Sequence, residues 1–247
     1  MSFSKQLCIL KALSSSERKA STVPRREEEP SSRRYTMRAR QSTVDQTRLA
    51  ITEATMRLHE RVGPRDTTIS AVAEEAQVTR VTVYRHFPTD DALVIACSAH
   101  WRELHPRPDV AAWSGIDDPI ARVRTALTEM YAWAATAAPM MTMIHRDVDS
   151  MPSFVGQYLA TDEKQRVDAL AVGFHARGGA ARRLRAALAH GLRISTWQSL
   201  CADGGLTGGE AADVMVGAVL AAASTTPPRD LSGSHHTIPT AAASWRV

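Results

Sequence analysis

Residues Thr47–Leu93 read TRLAITEATMRLHERVGPRDTTISAVAEEAQVTRVTVYRHFPTDDAL, and this stretch decides the fold of the 247-residue chain. It contains three short helical patterns separated by tight breaks. The first is an amphipathic helix whose apolar positions recur every three or four residues: Ile51, Ala54, Leu58 and Val62. Gly63 and Pro64 end this helix, because glycine suits the position after a helix and proline cannot continue one.

The second and third patterns form two helices joined by a very short turn. Thr67 and Thr68 offer a hydroxyl cap for the second helix, whose inward positions are Ile69, Val72, Ala73 and Ala76. After the turn at Gln77-Val78, Thr79 caps the third helix, whose inward positions are Val83 and Phe87. Its other faces carry Arg80, Thr82, Tyr84, Arg85 and His86. Such a pair is typical of the helix-turn-helix arrangement, in which the second helix lies in the major groove of DNA.

These residues resemble the DNA-binding domain of the TetR-like (tetracycline-repressor) family. The family pattern is matched in register at Gly63, Thr67, Thr68, Val72, Ala73, Ala76, Val78, Thr82, Val83, Tyr84, His86 and Phe87. Three positions depart from it. Gln77 stands where the family has a turn glycine, so a turn with positive φ would need a non-glycine residue there. His59 replaces a usual phenylalanine, and Asp90 stands where a phosphate-contacting lysine is frequent.

The resemblance implies a set of DNA-binding residues on and beside the third helix: Thr68, Thr79, Arg80, Val81, Thr82, Tyr84, Arg85 and His86. Arg80 and Thr82 lie near its N-terminal end and are predicted to recognise bases or groove edges. Tyr84 and His86 are predicted to position the helix on phosphates. The alternative for Tyr84 is that it packs under the following helix.

The overall charge of the chain gives no argument for DNA binding. Residues 1–36 contain eight Lys or Arg and four acidic residues, which gives +4, the formal net charge of the entire chain. The remainder therefore sums to zero, and the case for nucleic acid depends on the charges around the third helix. The three cysteines, Cys8, Cys97 and Cys201, are widely spaced and indicate a reduced cytoplasm. The sequence has no run of about eighteen apolar residues, so it predicts no membrane-spanning helix.

We divide the sequence into four segments: a disordered basic extension (1–44), a helix-turn-helix DNA-binding domain (45–92), a helical regulatory and dimerisation domain (93–223) and a disordered tail (224–247). In the first segment Ser, Arg, Glu and Pro dominate and no apolar period is sustained. Two interpretations of it stay open. One is a basic arm that lies in the minor groove, for which Arg33, Arg34, Arg38 and Arg40 are well placed. The other is that Met37 is the true start and residues 1–36 have no function.

The chain after Thr89 is predicted to be helical throughout, so the fold class is all-α. A fourth helix runs from the Thr89 cap and ends before Pro106, and a fifth begins at Asp118-Pro119. The later predicted helices are a short one at Met140–His145 after Pro139, a longer one from Met151-Pro152 through Phe174 that Gly178-Gly179 breaks, and two final ones over Ala180–Ala202 and Gly208–Ala223.

The second domain contains two concentrations of residues that point to regulation. One is rich in methionine and aromatic side chains. The resemblance favours a ligand cavity between helices there, and an ordinary helical core is the alternative. The predicted ligand-binding residues are Trp133, Met140, Met143, His145, Met151, Phe154, Tyr158 and Phe174. The other concentration is the final helix pair, which the resemblance implies dimerises as a four-helix bundle through Leu184, Leu188, Leu192, Met215 and Val219. Packing within one subunit is the alternative.

No sequence motif indicates catalysis, a metal or a cofactor. The chain has no Gly-x-Ser-x-Gly, P-loop or His-Glu-x-x-His pattern. Gly204–Gly209 lacks the Lys-Ser/Thr pair that would meet a phosphate, and Cys97, His100 and His105 fit no usual zinc spacing. We therefore expect that the protein is not an enzyme and needs no metal or cofactor.

These patterns together predict a cytoplasmic transcription regulator. We expect a homodimeric, ligand-released repressor that binds a palindromic double-stranded DNA operator and responds to a small apolar effector. A helical small-molecule-binding or scaffold protein without sequence-specific DNA binding is the alternative, supported by Asp90 and by the zero net charge of residues 37–247. An all-α enzyme is a third possibility.

Overall fold

The computed structural model describes residues 31–224, and within that range the chain is helical, with no β-strand. Its α-helices are α1 (Ser31–Arg61), α2 (Ile69–Glu75), α3 (Arg80–His86), α4 (Asp90–Leu104), α5 (Val110–Ser114), α6 (Pro119–Asp147), α7 (Ser153–Ala171), α8 (Gly178–Gly191), α9 (Ile194–Trp197) and α10 (Gly208–Ala223). A 3₁₀ turn at Val148–Ser150 follows α6, and a π-helix at Gln198–Asp203 follows α9. The predicted fold class is confirmed: a small helix-turn-helix unit is followed by a larger all-helical domain.

Threonine caps begin the short helices of the first unit, as the sequence predicts. The side chains of Thr68, Thr79 and Thr89 each accept a hydrogen bond at 3.2 Å from the backbone amide three residues later. Each bond satisfies one of the amide groups that a helix start leaves without a partner. A cap of this kind stabilises a protein by about 1 kcal/mol.

Helices α1, α2 and α3 share a small core of their own, which the first turns of α4 complete. Its buried members are Ile51, Leu58, Val72, Ala73, Val83, Phe87 and Leu93. Most of the inward positions predicted for the three helices are buried or partly buried in this core, whereas Ala54 and Val62 do not belong to it. Helices α2 and α3 have seven residues each, too few to be stable alone, so their packing against α1 holds them in place.

Helix α1 begins at Ser31, so the expected disorder of residues 1–44 is wrong for residues 31–44. An apolar period is needed only where a helix packs against a core, and here Val44 is 47% exposed. The arginine, methionine, alanine and glutamine residues of this stretch are good helix formers, and Gln41 Nε2 donates to Asp45 Oδ1 at 3.0 Å. Residues 1–30 and 225–247, the other parts expected to be disordered, lie outside the described residues.

Helix α6 is the central element of the larger domain and continues through Pro139. The separate short helix expected at Met140–His145 is therefore wrong. A proline inside a helix removes one main-chain hydrogen bond and costs about 3 kcal/mol. Ala137 and Met141, on either side of it, are buried in the core of the domain, and we infer that the burial of this helix outweighs the loss.

The next two helices begin and end at residues other than those predicted. Helix α7 ends before Phe174, and Gly178-Gly179 begins α8 rather than breaking a helix. Gly173 takes a positive φ of +88° just after the end of α7. Arg122 from α6 donates from Nη1 to the carbonyl oxygen of Val172 at 2.8 Å. The stop signal is thus a glycine earlier in the chain, and a side chain from a distant helix supports it.

The helix predicted over Ala180–Ala202 is interrupted by a change of direction. Two hydroxyl groups hold the last carbonyl groups of α8: Tyr131 Oη donates to Gly191 O at 2.9 Å, and Thr196 Oγ1 donates to His190 O at 2.5 Å. Carbonyl groups held in this way end the helix, because side chains replace the amides of the next turn. Helix α10 has the predicted bounds.

The end of α6 holds the loop that joins α1 to α2. Arg146 Nη2 donates to Val62 O at 2.8 Å, and the backbone amide of Arg65 donates to Asp147 Oδ2 at 3.2 Å. Arg146 Nε also donates to Asp147 Oδ1 at 2.7 Å. These hydrogen bonds, first of all the one from Arg146, lower the pKa of Asp147 to about 2, so the carboxylate is charged at neutral pH. This junction connects the small unit to the larger domain.

We predict that Gly63→Ala disrupts this junction. Gly63 has a φ of +91°, and a methyl group there would overlap the guanidinium of Arg146 and the carboxylate of Asp147. Gly205→Ala is the matched control, because Gly205 has a φ of +71° and nothing lies within 4 Å of the added Cβ. The control should lower the free energy of unfolding by about 1 kcal/mol, the cost of a side chain at positive φ. Gly63→Ala should lower it by clearly more in denaturant unfolding, and equal losses would show that only the backbone conformation of Gly63 matters.

Candidate nucleic-acid interface

Helix α3 is anchored by one side and presents the other to solvent. Val83 is 0% exposed and Phe87, which caps the end of the helix, is 2% exposed. The residues exposed on the opposite side are Arg80, Val81, Tyr84 and Arg85. Tyr84 is 46% exposed, so it does not pack under α4. The helix therefore carries donors, a phenol and an apolar side chain on a surface that the chain itself leaves uncovered.

The other four predicted DNA-binding residues have contacts inside the unit. Thr68 and Thr79 cap α2 and α3, and Thr79 Oγ1 also lies 3.0 Å from the hydroxyl of Thr82. His86 is half-buried at the end of α3. A hydroxyl that accepts a hydrogen bond from the backbone keeps its own proton to donate. The capping role of these threonines is therefore compatible with a contact to phosphate.

The turn between α2 and α3 has a positive φ at Gln77, where the family has a glycine. Gln77 has a φ of +55° and is the one non-glycine residue with a positive φ between residues 31 and 224. The amide of Val78 donates to the carbonyl oxygen of Ala73 at 2.9 Å, which closes the turn. Gln77 thus takes the left-handed conformation in place of a glycine, and the tight turn between the two helices is retained.

Arg48 on α1 belongs to this unit, although no sequence pattern indicated it. Its Nη1 donates to His86 O at 2.7 Å, and its guanidinium lies 4.1 Å from the centroid of the Phe87 ring. A cation is favourable at the C-terminal end of a helix, so Arg48 stabilises α3. Burial, followed by the charges of Arg85 and Arg48, lowers the pKa of His86. The imidazole of His86 can offer a phosphate a hydrogen bond.

Asp90, the departure that removes a phosphate-contacting lysine, has a structural role in α4. It is exposed in the first turn of that helix, beside Asp91 and behind the Thr89 cap. Carboxylates at a helix start are favourable because they lie near the positive end of the helix dipole. The change therefore stabilises α4 and lowers the positive charge next to α3.

An apolar cavity of about 110 Å³ lies in the larger domain between α4, α6 and α7. Five of the predicted ligand-binding residues line it: Trp133, Met140, Met151, Phe154 and Tyr158. Met143 and Phe174 do not line it, because Met143 lies on another side of α6 and Phe174 lies beyond the end of α7. His145 instead lines an adjoining polar groove between α6, α7 and α8.

His59, the departure on α1, lies in the wall of this cavity. It is 5% exposed, and burial lowers its pKa to about 4, so the imidazole is neutral at pH 7. Its Nδ1 lies 3.8 Å from the sulfur of Cys97, whose own pKa burial raises to about 12. In the sequence, His59 is recognisable only as an exception to the family pattern. The structure places an uncharged polar pair where α1 meets the cavity.

The residues predicted to form the dimer interface lie in the core of a single chain. Leu184, Leu188, Met215 and Val219 are 3%, 0%, 6% and 1% exposed without any partner, and Leu192 packs against the same core. The packing of these residues is within one subunit, and their predicted contact with a second subunit stays a prediction. An apolar period shows that one face of a helix is buried, but it does not say what covers that face.

Two further properties concern the described range of residues 31–224. Nowhere in it do three or more His, Cys, Asp or Glu side chains group as ligands for a metal ion. None of its helices combines the length and the apolar composition that crossing a membrane requires.

Comparisons with known proteins agree with this geometry. Residues 51–97 match the sequence model of the bacterial regulatory proteins of the tetR family. A solved structure from Clostridium perfringens, named as a proposed regulator of fatty acid metabolism, is similar with a TM-score of 0.51 and 14% sequence identity. The similarity covers 69% of this chain and 96% of that one, and at this identity it concerns the fold alone. A comparison with curated protein sequences gives no match.

Gln77→Gly should stabilise the protein. An L-residue in the left-handed region costs roughly 1–2 kcal/mol, part of which glycine recovers despite its greater freedom in the unfolded chain. We expect the free energy of unfolding to rise by about 0.5–1 kcal/mol. Gln157→Gly, on the exposed side of α7, is the control and should lose about 1 kcal/mol, because glycine is unfavourable inside a helix. A loss at position 77 in thermal unfolding would contradict the prediction.

Proposed function

We propose that this chain, whose residues 51–97 match the bacterial regulatory proteins of the tetR family, is a ligand-released repressor that binds a palindromic DNA operator as a homodimer. The observation that carries the proposal is α3, a short helix whose buried side fixes it on α1 and whose opposite side is exposed and rich in donors. Such a helix is shaped to enter a major groove. We propose that the protein acts in the cytoplasm, where bacterial DNA lies, and has no catalytic activity.

Two copies of α3 would enter the major groove on one face of the duplex. A dimeric helix-turn-helix protein requires half-sites whose centres lie about 34–36 Å apart, or a multiple of that distance. In vitro selection from random double-stranded DNA, followed by a gel shift at several salt concentrations, tests the function. Enrichment of an inverted repeat supports the proposal. Equal binding of all sequences, or no binding, would contradict it.

The exposed side of α3 suggests a division of roles. Arg80 and Val81 lie in its first turn and are placed to reach base edges, together with the hydroxyl of Thr82. Tyr84 and Arg85 lie one turn later and are placed to contact phosphates, which fix the position of the helix but carry no sequence information. Thr68 and His86 would add further hydrogen bonds to phosphates.

A different surface supports the dimer. Helix α10 contains only two charged residues, Glu210 and Asp213, and a helix that is apolar on all sides is usually buried on all sides. Its inner side packs in the core of the chain, but its outer side is exposed: Val214, Gly217, Ala218 and Ala221. These residues recur at helical spacing, and no atom lies within 4 Å of a Cβ added at Gly217. We propose that this outer side packs against its counterpart in the second subunit.

The cavity and the DNA-binding unit share structural elements, which supports release by a ligand. His59 of α1 and several residues of α4 line the cavity. The last residues of α6, which also lines it, hold the loop after α1 through Arg146 and Asp147. A ligand that binds the DNA-free arrangement more tightly must weaken DNA binding by the same factor. The proposed effector is a small apolar molecule.

Replacement of Arg80 tests the recognition role of α3. A guanidinium bound to a guanine contributes roughly 1–3 kcal/mol of discrimination, so Arg80→Ala should lower affinity for the selected operator more than for random DNA. Tyr84→Phe is the comparison: it should leave the melting temperature unchanged, since the side chain is 46% exposed, and should weaken all sequences alike. If Arg80→Ala weakens both DNAs equally, Arg80 contacts phosphate only.

A charge on the outer side of α10 tests the dimer. Ala218→Glu should give a folded monomer, because two desolvated carboxylates would face each other across the proposed two-fold axis. A single helix-turn-helix makes half of the contacts, so operator affinity should collapse. Ala135→Glu, on the exposed side of α6, should remain a dimer, and Leu188→Glu should unfold the chain because Leu188 is fully buried. Sedimentation and circular dichroism distinguish these results, and an unchanged Ala218→Glu dimer would place the interface elsewhere.

A further inference from the structure

The cavity has a charge pattern that an ordinary apolar core does not need. Two arginines, Arg102 and Arg107, lie at its edge, and no Asp or Glu of the described chain lines it. Each guanidinium lies over an aromatic ring of the cavity wall: Arg102 is 5.5 Å from the ring centroid of Tyr158, and Arg107 is 4.4 Å from that of Trp133. An apolar space with cations and no carboxylates at its edge is complementary to an apolar molecule that carries a negative charge.

Arg107 pairs with a carboxylate that a second arginine also uses. Its Nη1 donates to Asp162 Oδ2 at 2.5 Å, but Arg166 Nε donates to the same oxygen at 3.0 Å. One carboxylate therefore serves two guanidinium groups, whose side chains are 21% and 7% exposed. The Nη2 of Arg107 faces the sulfur of Met141 at 4.0 Å, which is a weak acceptor. Burial lowers the pKa of Arg107, and the charge of Arg166 adds to the effect of burial.

Arg107 also lies where the cavity meets the polar groove, because it lines both. The other acidic residues of the groove do not neutralise it. Glu163 lies 3.9 Å from Arg193, and Asp149 is exposed beyond the end of α6. A ligand could therefore place an anionic group at Arg107 beside the groove and its apolar part inside the cavity.

The cavity wall also contains a polar group without a partner. The indole nitrogen of Trp101 is buried and has no hydrogen-bond partner within the described part of the chain, and the residue is 6% exposed. A buried indole N–H normally donates to an acceptor. The neighbouring wall residues His59 and Cys97 are uncharged at neutral pH and add no negative charge.

We propose that the cavity binds a small apolar carboxylic acid as its anion, with the carboxylate at Arg107 and the apolar body between α4, α6 and α7. That this ligand releases DNA rests on the proposed function, whereas its binding does not. Arg107 provides an Nη2 donor that faces only a weak sulfur acceptor, and a positive charge whose carboxylate partner, Asp162, is shared with Arg166. Arg102 adds a second cation at the edge of the same space.

The size of the cavity limits the apolar body. A cavity of about 150 Å³ holds one benzene ring, so the 110 Å³ seen here suits a short alkyl chain or, with slight expansion, a single ring. Met140, Met141 and Met151 line it, and methionine side chains adapt readily to the shape of a ligand. The matching probes are butanoate, hexanoate, octanoate and benzoate, each compared with its uncharged primary amide.

The experiment measures binding of these probes to the full chain by calorimetry and by the fluorescence of the tryptophans in the cavity wall. At least one carboxylate should bind about tenfold or more tightly than its amide, because hydrogen bonds to ionised groups are markedly stronger than neutral ones. Arg107→Gln should remove this preference and keep the fold, since Asp162 keeps Arg166 as its partner. Arg124→Gln, which changes a surface arginine paired with Asp213, should leave binding unchanged.

Three results would overturn the proposal: no carboxylate binds, carboxylate and amide bind equally, or Arg107→Gln keeps the preference. If Arg107→Gln does not fold, Arg107→Lys replaces it. Lysine keeps the charge and loses the fork of donors, so the preference should weaken but remain. The comparison of carboxylate with amide on the unchanged protein decides the matter in either case.

The same samples are then titrated with the selected operator. If the protein binds DNA but no carboxylate, the ligand class is wrong and the DNA-binding function stands. If it binds a carboxylate but no DNA sequence is selected, the cavity assignment stands and the repressor is wrong. If it binds both and the carboxylate leaves DNA affinity unchanged, only the release step is wrong.

Discussion

The burial of helix α1 on two sides is the constraint on which the rest of the structure depends. Ile51 and Leu58 face the small core that holds α2 and α3. Met56 belongs to the core of the larger domain, and His59 lies in the cavity wall. Packed cores do not deform continuously, so a helix shared by two of them passes a displacement in one to the other. A change of cavity shape that moves α1 is therefore passed to α3, which packs in the same small core and contacts Arg48.

The parts of this fold that could be predicted from sequence are those that a few neighbouring residues decide. A threonine cap needs one hydroxyl and an amide three residues later, and the caps at Thr68 and Thr79 were predicted correctly for that reason. The anchoring of α3 by Val83 and Phe87 follows from their spacing, and the positive φ at Gln77 follows from the length of the turn. In each case, the pattern that gives the prediction is also the physical cause of the structure.

The incorrect predictions concern contacts that reach across the chain. Pro139 does not end α6, because buried neighbours outweigh one missing hydrogen bond, and α8 ends where hydroxyls from other segments hold its carbonyl groups. Leu188 and Val219 show the same limit for the predicted dimer interface. Their spacing indicates that one face of each helix is buried, and in the structure α6, α8 and α10 cover these faces within one chain. Five of the predicted ligand-binding residues line the cavity, but Arg107 was not among the predicted residues, because a single arginine after a proline has no periodic signal. The feature that sets Arg107 apart is visible only in the structure: it shares the carboxylate of Asp162 with Arg166.

The three departures from the family pattern have different physical effects, and two of them bear on regulation. Asp90 stabilises the start of α4 and removes a cation beside α3, and residues 37–247 have no net charge. Non-specific attraction to the phosphate backbone, which depends on such cations, is then small. In the proposed dimer, base contacts and the pairing of two subunits would supply more of the operator affinity. His59 adds a neutral polar group to a cavity of 110 Å³. A ligand shifts an equilibrium only by its differential affinity for the two states, and a ligand of this size has little binding energy to divide between them. If the protein is the proposed ligand-released repressor, modest DNA affinity matches a small effector, because a repressor held by many phosphate contacts would not be released by so small a molecule.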